Sequence, residues 1–442
     1  MPSPTDDPTP SRRAVLAGLA GLPAGVAGLA ARPARADATA TVATWNAYLG
    51  VDLFDLFDAR SIEDVRAIAG DLLADARRHP YAARADAIAA GIAAADADAV
   101  ALQEAARLRS LPHGDATDDP DDGETVADLL DLVVDALADR GHPYEVAADA
   151  VTTDVRLPAD TDDGRVDVAL TDRVALLVRE SVAVRDARSG RYDERLTFPL
   201  FGTDRSVTLE RGYCFADLTV DGAAVTVGST HLESASAAAR GRQAEELLDA
   251  LPDGPVVVGA DLNSGPGART DAYDTVTGEL ADAHAALRPD ERADTCCQPP
   301  RLRNDRSRLS KRVDALLSSG GPEPTAVDRL GADASDRLDA TVDGEAVTVW
   351  PSDHAGVVAT YALTAATAAP TSSLSTAATG TPVATASPSG TAEAGSTTAG
   401  TSPETTTESP SATPDGSGTG FGALAALAAL LGGAFARGRG DD

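Results

Sequence analysis

An α/β fold is what the sequence predicts, and three observations carry the prediction. Short apolar runs end abruptly in polar residues: residues 256–264 read VVVGADLNS, residues 99–104 AVALQE and residues 41–46 TVATWN. Three consecutive valines suit a strand buried on both faces. Between these runs lie segments with the Ala, Leu, Ile and Arg spacing of helices that cover one face of a sheet. A hairpin signal completes the set, two strand-like runs at 212–220 and 224–232 joined by Asp221 and Gly222.

In chain order, the strand at 41–46 places Val42, Thr44 and Asn46 on one face. Residues 52–96 then read as helix with a break at His79 and Pro80. The strand at 99–104 ends in Gln103 and Glu104, with Val100, Leu102 and Glu104 on one side. Residues 107–165 hold an acidic loop around 115–123, punctuated by Gly and Pro, and a helix over 126–140. A loop-rich insertion beside a catalytic rim is where substrate choice usually resides, and a solvated surface is the other reading. A strand follows at 174–178 (VALLV), and then the hairpin, whose second strand aligns Val225, Val227, Ser229 and His231. A lone histidine at such a position is more often structural.

A helix over 235–251 leads into VVVGADLNS. On an extended backbone Asp261 and Asn263 point to the same side, while Leu262 points back into packing. The same residues also suit an Asx turn closing a strand, and the stretch alone leaves both readings open. Residues 312–317 form a strand containing Asp314, and in 350–361 (WPSDHAGVVATY) Ser352, Asp353 and His354 stand directly before an apolar strand.

Acidic residues outnumber basic ones 69 to 37 in 442 residues, for a formal charge of -32, and Lys311 is the only lysine. Such an excess of acid over a core of small residues is expected of a protein from a very salty medium. At about 1 M salt the Debye length is roughly 3 Å, so self-repulsion is screened and an anionic substrate is not excluded. Cys214, Cys296 and Cys297 have no metal-ligand spacing. Adjacent cysteines rarely bond to each other, and export would permit Cys214 to pair with either of the other two.

Both ends differ from the middle. In residues 1–36, Ser11, Arg12 and Arg13 precede a small-residue apolar run, and Ala34, Arg35 and Ala36 offer an A-x-A cleavage site. The segment resembles a twin-arginine export signal. The folded domain is expected over 37–363. Residues 364–420 collapse to Ser, Thr, Ala, Pro and Gly, the composition of a disordered stalk. Residues 421–442 are an apolar run closed by Arg437 and Arg439, which resembles the sorting tails of archaeal surface proteins. Thr419, Gly420 and Phe421 stand where those tails carry Pro-Gly-Phe. The expectation is an exported protein, extracellular or tethered to a membrane through this segment.

Polar strand ends recur in TWN, LQE, STHL, GADLN, RVD and SDH, supplying Asn46, Glu104, His231, Asp261, Asn263, Asp314, Asp353 and His354. Hard cations such as Mg²⁺ take carboxylate oxygens, a need that Glu104 and Asp353 fit. A histidine beside a carboxylate can be oriented for proton transfer or phosphate contact. In this order and spacing the motifs resemble the endonuclease/exonuclease/phosphatase family, over about residues 41–363.

The resemblance implies a four-layer α/β sandwich, DNase I-like, in which two packed mixed sheets are flanked by helices and catalytic groups line one rim. It implies Glu104 as main ligand of Mg²⁺, or alternatively Mn²⁺, with Asn46 and Asp353 near the metal. Asp261 would polarise the attacking water, and Asn263 would orient it or a phosphoryl oxygen. His354, held by Asp314, would bind phosphate or act as base, and His231 would face the leaving group. Arg211 and Asn46 are further candidates for phosphate contact. The expected activity is an extracellular nuclease cleaving phosphodiester bonds. A phospholipid or sphingomyelin phosphodiesterase, a phosphomonoesterase and a non-catalytic surface binding module are the alternatives, the last requiring a lost catalytic residue where none is lost. The sequence displays no clear basic, aromatic-lined groove for nucleic acid, and no protein partner is evident.

Overall fold

The computed structural model describes residues 38–114, 123–199, 206–267 and 270–363. The expected export signal, stalk and C-terminal segment lie outside the described residues, as does most of the acidic loop at 115–123. No helix among the described residues is long and apolar enough to cross a membrane.

The chain opens with β1 (Ala38–Asn46), then α1 (Ile62–Arg78) and α2 (Tyr81–Ala95), broken at His79 and Pro80 as the sequence predicts. Ser61 caps α1 by accepting from the Asp64 N–H. Next come β2 (Ala99–Gln103), β3 (Arg107–Pro112), β4 (Glu124–Asp128) and α3 (Leu129–Asp139). The helix expected from residue 126 begins three residues later, because 124–128 pair with β3 as an edge strand and Asp128 becomes the helix cap. Two long strands follow, β5 (Tyr144–Thr161) and β6 (Gly164–Arg179), so the stretch expected as loop-rich is largely a hairpin.

The second half supplies β7 (Ala183–Arg191), a small hairpin of β8 (Leu196–Pro199) and β9 (Ser206–Leu209), and the predicted hairpin β10 (Gly212–Val220) and β11 (Ala223–His231). It continues with α4 (Ala237–Ala250), β12 (Val256–Asp261), α5 (Asp271–Thr277), β13 (Ala281–Asp282), α6 (Ala283–Leu287) and β14 (Asp314–Ser319). The last elements are β15 (Glu323–Leu330), a hairpin of β16 (Leu338–Val342) and β17 (Glu345–Val349), and β18 (Gly356–Leu363).

These strands make two mixed sheets. The first has the order β15-β18-β1-β2-β6-β3-β4, with β5 also on β6, and the second runs β13-β14-β12-β11-β10-β7. Each contains one parallel pair near its middle, β1 with β2 and β11 with β12. Both faces of both sheets are covered. Val42, Leu176, Ala216, Val227, Val257 and Tyr361 meet between the sheets. Trp45, Val100 and Leu102 face Ile88 and Ile92 of α2 and Val133 of α3. On the opposite side Val256, Val258 and Leu317 face Leu247 of α4 and Val276 of α5. The result is a four-layer α/β sandwich, and it explains why the central strands read as continuous apolar runs rather than alternating ones.

Gly259 sits where the layers come closest. A Cβ there would lie 2.5 Å from the Ala101 Cβ and 2.8 Å from the Thr44 Cβ, so the glycine in VVVGAD admits the facing sheet. Beside it, the Gln103 amide donates to Ser229 Oγ (3.1 Å), and Ser229 Oγ donates to the Leu102 carbonyl (2.9 Å). This polar link joins the sheets directly beneath one rim.

The cysteines pair in the arrangement that the sequence disfavours. Cys296 is bonded to its neighbour Cys297, while Cys214 is free and buried between the sheets.

Candidate active site

Strand register assembles the first half of the site. His231 ends β11, Asp261 ends the parallel β12, and Asp314 begins the antiparallel β14; His231 pairs with Asp261, and Asp261 with Asp314. Three residues distant in sequence thus form one row along the rim of the second sheet. All three are buried. Alternation decides that Asp261 faces the first sheet, since Val257 and Gly259 on the same side already do.

The second half comes from ends of strands in the first sheet, and here the backbone leaves extended geometry. Glu104 follows β2 at φ 50° and Tyr48 follows β1 at φ 58°, a left-handed conformation rare for large side chains. The expected alignment of Glu104 with Val100 and Leu102 therefore fails: those two pack under α2 and α3, whereas Glu104 turns into the rim. Its Oε2 accepts from the Leu49 N–H (2.9 Å) and its Oε1 from Asn46 Nδ2 (3.0 Å). Asn46 also donates through Nδ2 to Asp261 Oδ2 (2.9 Å), so one amide links the two halves. Its Oδ1 is taken by the Tyr48 N–H (3.0 Å), and the nitrogen faces the carboxylates. Ser352 Oγ donates to the Asn46 carbonyl (2.7 Å), which docks the Ser352–His354 turn beside it.

Asn263 is likewise not extended but left-handed, at φ 48°. Its N–H donates to Asp261 Oδ1 (2.8 Å), an Asx turn, and its side-chain nitrogen reaches back to His231 Nε2 (3.0 Å) and the Leu232 carbonyl (2.9 Å). The turn reading and the site reading of GADLN are both realised. The turn is what aims the site.

The two histidines are held in opposite states. Burial lowers the pKa of His231, and the positive charges of Arg211 and His354 lower it further. Its ring faces donors on both sides, Asn263 Nδ2 and Arg211 Nη1 (3.1 Å), an arrangement hostile to an imidazolium. Burial acts in the same direction on His354, but Asp314, Asp353 and Asp261 outweigh it and hold His354 well above the usual range. His354 Nδ1 lies 2.8 Å from Asp314 Oδ2. Asp261 stands between the rings, 3.6 Å from His231 Nε2 and 3.8 Å from His354 Nδ1. Burial and then Asp314 push its carboxyl up to about 6, within reach of a general base working near neutral pH.

The donor set fits a hard cation. Half-buried Asp353 is pushed up to about 7, first by burial and also by Glu104, so negative charge is crowded at that corner. A divalent ion between such oxygens would relieve the crowding. A second grouping, Asp261, Asp314 and His354, has ligand atoms within 4.8 Å of one another. In it His354 Nδ1 and Asp314 Oδ2 already pair at 2.8 Å, while Glu104 and Asp353 offer a separate pair of carboxylates to a cation.

Other residues of the site lie beyond the sequence motifs. Arg84, fully buried on α2, donates to the carbonyls of Pro351 (2.8 Å), Tyr48 (3.0 Å) and Ala47, and its Nη1 meets His79 Nε2 at 2.6 Å. Burial, then Arg84, lowers His79 to about 2, so the ring meets the guanidinium as a neutral acceptor. Arg84 thereby ties the turn after β1 to the Ser352–His354 turn. The one signal for it was an arginine in an Ala-rich helix, YAARADAIAAGIAAA. Asp172, buried on β6, is pushed up to about 6 by burial and by Glu104. Arg211 is buried, its Nε 3.5 Å from Glu233 Oε2, with Nη1 against His231.

An acidic corner suited to a cation, abutting a carboxylate flanked by one neutral and one charged histidine on a four-layer α/β sandwich, defines a hydrolase of phosphoric esters. The chain belongs to the endonuclease/exonuclease/phosphatase family, whose model matches residues 43–354. No curated protein matches the chain. Among solved structures, an endonuclease/exonuclease/phosphatase family protein from Bacteroides thetaiotaomicron is 16% identical, covers 74% of this chain and 99% of its own, and has a TM-score of 0.45. A mannosyl-6-phosphatase from the same organism is 16% identical over 72% of this chain and 98% of its own, at TM-score 0.44. Truncated Caenorhabditis elegans TDP2 is 17% identical over 73% of this chain and 97% of its own, at TM-score 0.37.

Proposed function

We propose that the protein is an exported, Mg²⁺-dependent phosphodiesterase that cleaves nucleic acid outside the cell. The observation that carries the catalytic part of this reading is Asp261, a buried carboxylate with an elevated pKa that lies in register between His231 and Asp314 and 3.8 Å from His354 Nδ1. Asp261 takes the proton from the attacking water, and Asn46 Nδ2 and the Asn263 N–H hold its two oxygens in place while it does so. Charged His354, kept so by Asp314, neutralises negative charge building on the phosphoryl oxygens. Neutral His231 and the Asn263 amide stand on the other side, facing the leaving oxygen. Glu104 and Asp353 would hold the ion, which supplies Lewis-acid polarisation of a phosphoryl oxygen when bound. Export rests on the twin-arginine pattern in the first 36 residues.

The test uses the full chain in molar salt with plasmid DNA, RNA, phospholipid vesicles and a sugar phosphate, each with Mg²⁺ and with EDTA. Metal-dependent nicking or degradation of nucleic acid is expected. Release of free phosphate or a lipid headgroup with DNA intact would replace the nuclease by a phosphatase or lipase-type activity. Turnover indifferent to EDTA would overturn the metal.

A further inference from the structure

We infer that residues 301–312 form a cationic strap beside the catalytic rim that binds the phosphate backbone of a nucleic acid beyond the bond being cut. The inference rests on the phosphodiesterase reading above and assigns the surface that would hold its polyanionic substrate. In a chain of formal charge -32, the segment RLRNDRSRLSKR holds six basic residues against one acid and includes the only lysine. Arg301, Arg303, Arg306 and Arg308 are all exposed. None of these four guanidinium groups has a hydrogen bond or ion pair among the described residues. Elsewhere exposed arginines are routinely paired, as Arg77 is with Glu124, Arg78 with Asp75 and Arg242 with Glu194.

The strap is attached to the site at both ends. The Gln298 N–H donates to the Asp353 carbonyl (2.8 Å), and Cys296 bridges both His354 and Lys311. At the far end Thr295 Oγ1 accepts from the N–H groups of Val313 and Asp314 (3.1 Å each). Buried Gln298 braces the interior, its Oε1 accepting from Asn304 Nδ2 and the Arg308 N–H (2.8 Å each) and its Nε2 donating to Ser307 Oγ (3.2 Å). Leu302 is buried with Trp350, whose Nε1 donates to the Asn304 carbonyl (2.8 Å). Four free guanidinium groups are therefore displayed on a braced loop, not on a floppy one.

The chemistry selects the partner. A guanidinium fork matches phosphate oxygens, and a run of such forks matches a run of phosphates. A monoester with a single phosphate has no charge beyond the scissile group to occupy them. The overall negative charge repels a polyanion, so a local positive strap is where it can be received. The segment has no aromatic residue on which bases could stack, which points to backbone contacts without sequence preference. Its two leucines are buried or half-buried, leaving no apolar side chain to enter a bilayer, so nucleic acid is favoured over an anionic membrane.

The test compares wild type with Arg306→Gln/Arg308→Gln and Arg301→Gln/Arg303→Gln. Arg77→Gln/Arg78→Gln on α1 controls for an equal loss of charge elsewhere. Binding of a fluorescent DNA duplex is measured with EDTA present across a range of salt in which circular dichroism shows the fold intact. Each strap variant should weaken binding about tenfold and reduce the slope of log affinity against log salt by about 2. With Mg²⁺, KM for DNA should rise by a similar factor, while hydrolysis of a minimal aryl phosphodiester, too short to reach the strap, changes less than twofold. Unchanged DNA binding, or an equal effect from the α1 variant, would overturn the strap and leave the phosphodiesterase reading standing. Strap-dependent sedimentation with phosphatidylserine vesicles but no strap-dependent DNA binding would overturn it in favour of a membrane. Strap-dependent DNA binding by a protein that cleaves no phosphoester would keep the strap and remove the phosphodiesterase.

Discussion

The two sheets place their candidate catalytic groups by different physical means. On the second sheet His231, Asp261 and Asp314 form one row because three paired strands end in register, and their positions follow from main-chain hydrogen bonds. On the first sheet Glu104 and the turn after β1 occupy left-handed backbone, and the Ser352–His354 turn is irregular. Those turns are positioned by side chains: Asn46, Ser352 and above all buried Arg84. The register-built half should tolerate loss of a functional group without loss of shape. In the turn-built half, chemistry and structure are carried by the same residues.

Asp261→Asn gives the sharpest contrast. It removes the base while the amide keeps one acceptor in an otherwise intact row, so turnover should fall about 10³-fold. The melting temperature and the Mg²⁺ midpoint should change little. An active variant, or one that no longer binds Mg²⁺, would break the distinction between the halves. Glu104→Gln should weaken the Mg²⁺ midpoint on the order of 100-fold. Calorimetry should show Mg²⁺ stabilising the wild type and failing to stabilise this variant, a readout independent of activity. Arg84→Lys keeps the charge but cannot reach Pro351, Tyr48 and His79 together, and should cost roughly 2 kcal/mol by denaturant titration. Mg²⁺ affinity should drop with it, about tenfold, because the turn that carries Asp353 and the turn whose Leu49 N–H holds Glu104 both loosen.

The smallest effect concerns Asp172, behind the turn-built half. Its folded-state pKa of about 6 lies above the unfolded value of about 3.9. The folded state therefore binds the proton more tightly, so the stability this group contributes is full below pH 4 and is lost as pH rises through 6. Asp172→Asn should escape that loss, gaining on the order of 1 kcal/mol over wild type at pH 7.5 and nothing at pH 4. The amide must serve two donors, Thr152 Oγ1 and the Arg173 N–H, which limits the gain. Urea melts at the two pH values check the sign, and a variant less stable at both would refute it.

Much of the site was legible because alternation along a strand is local. Val42, Thr44 and Asn46, and likewise Val225, Val227, Ser229 and His231, do share one face as the sequence predicts, which the fold turns toward the other sheet, and Leu262 does return to the core. Local reasoning failed where the backbone left the strand, at Glu104 and Asn263. The cationic segment at 301–312 was present in the sequence, yet its arginines became informative only when the fold placed the segment between Asp353 and Asp314 and left them unpaired.

By itself the sequence determined the α/β alternation, the polar strand ends and the identity of most residues that converge on the rim. These follow from side-chain period and residue type, which are properties of neighbouring residues. Only the tertiary structure decided that His231 is neutral and His354 charged, and that Arg84 supports two turns. It also paired Cys296 with Cys297, leaving Cys214 alone. The histidine states and the reach of Arg84 depend on burial and on charges or atoms brought together from distant parts of the chain, and His231 and His354 are alike until the fold surrounds one with cations and the other with carboxylates.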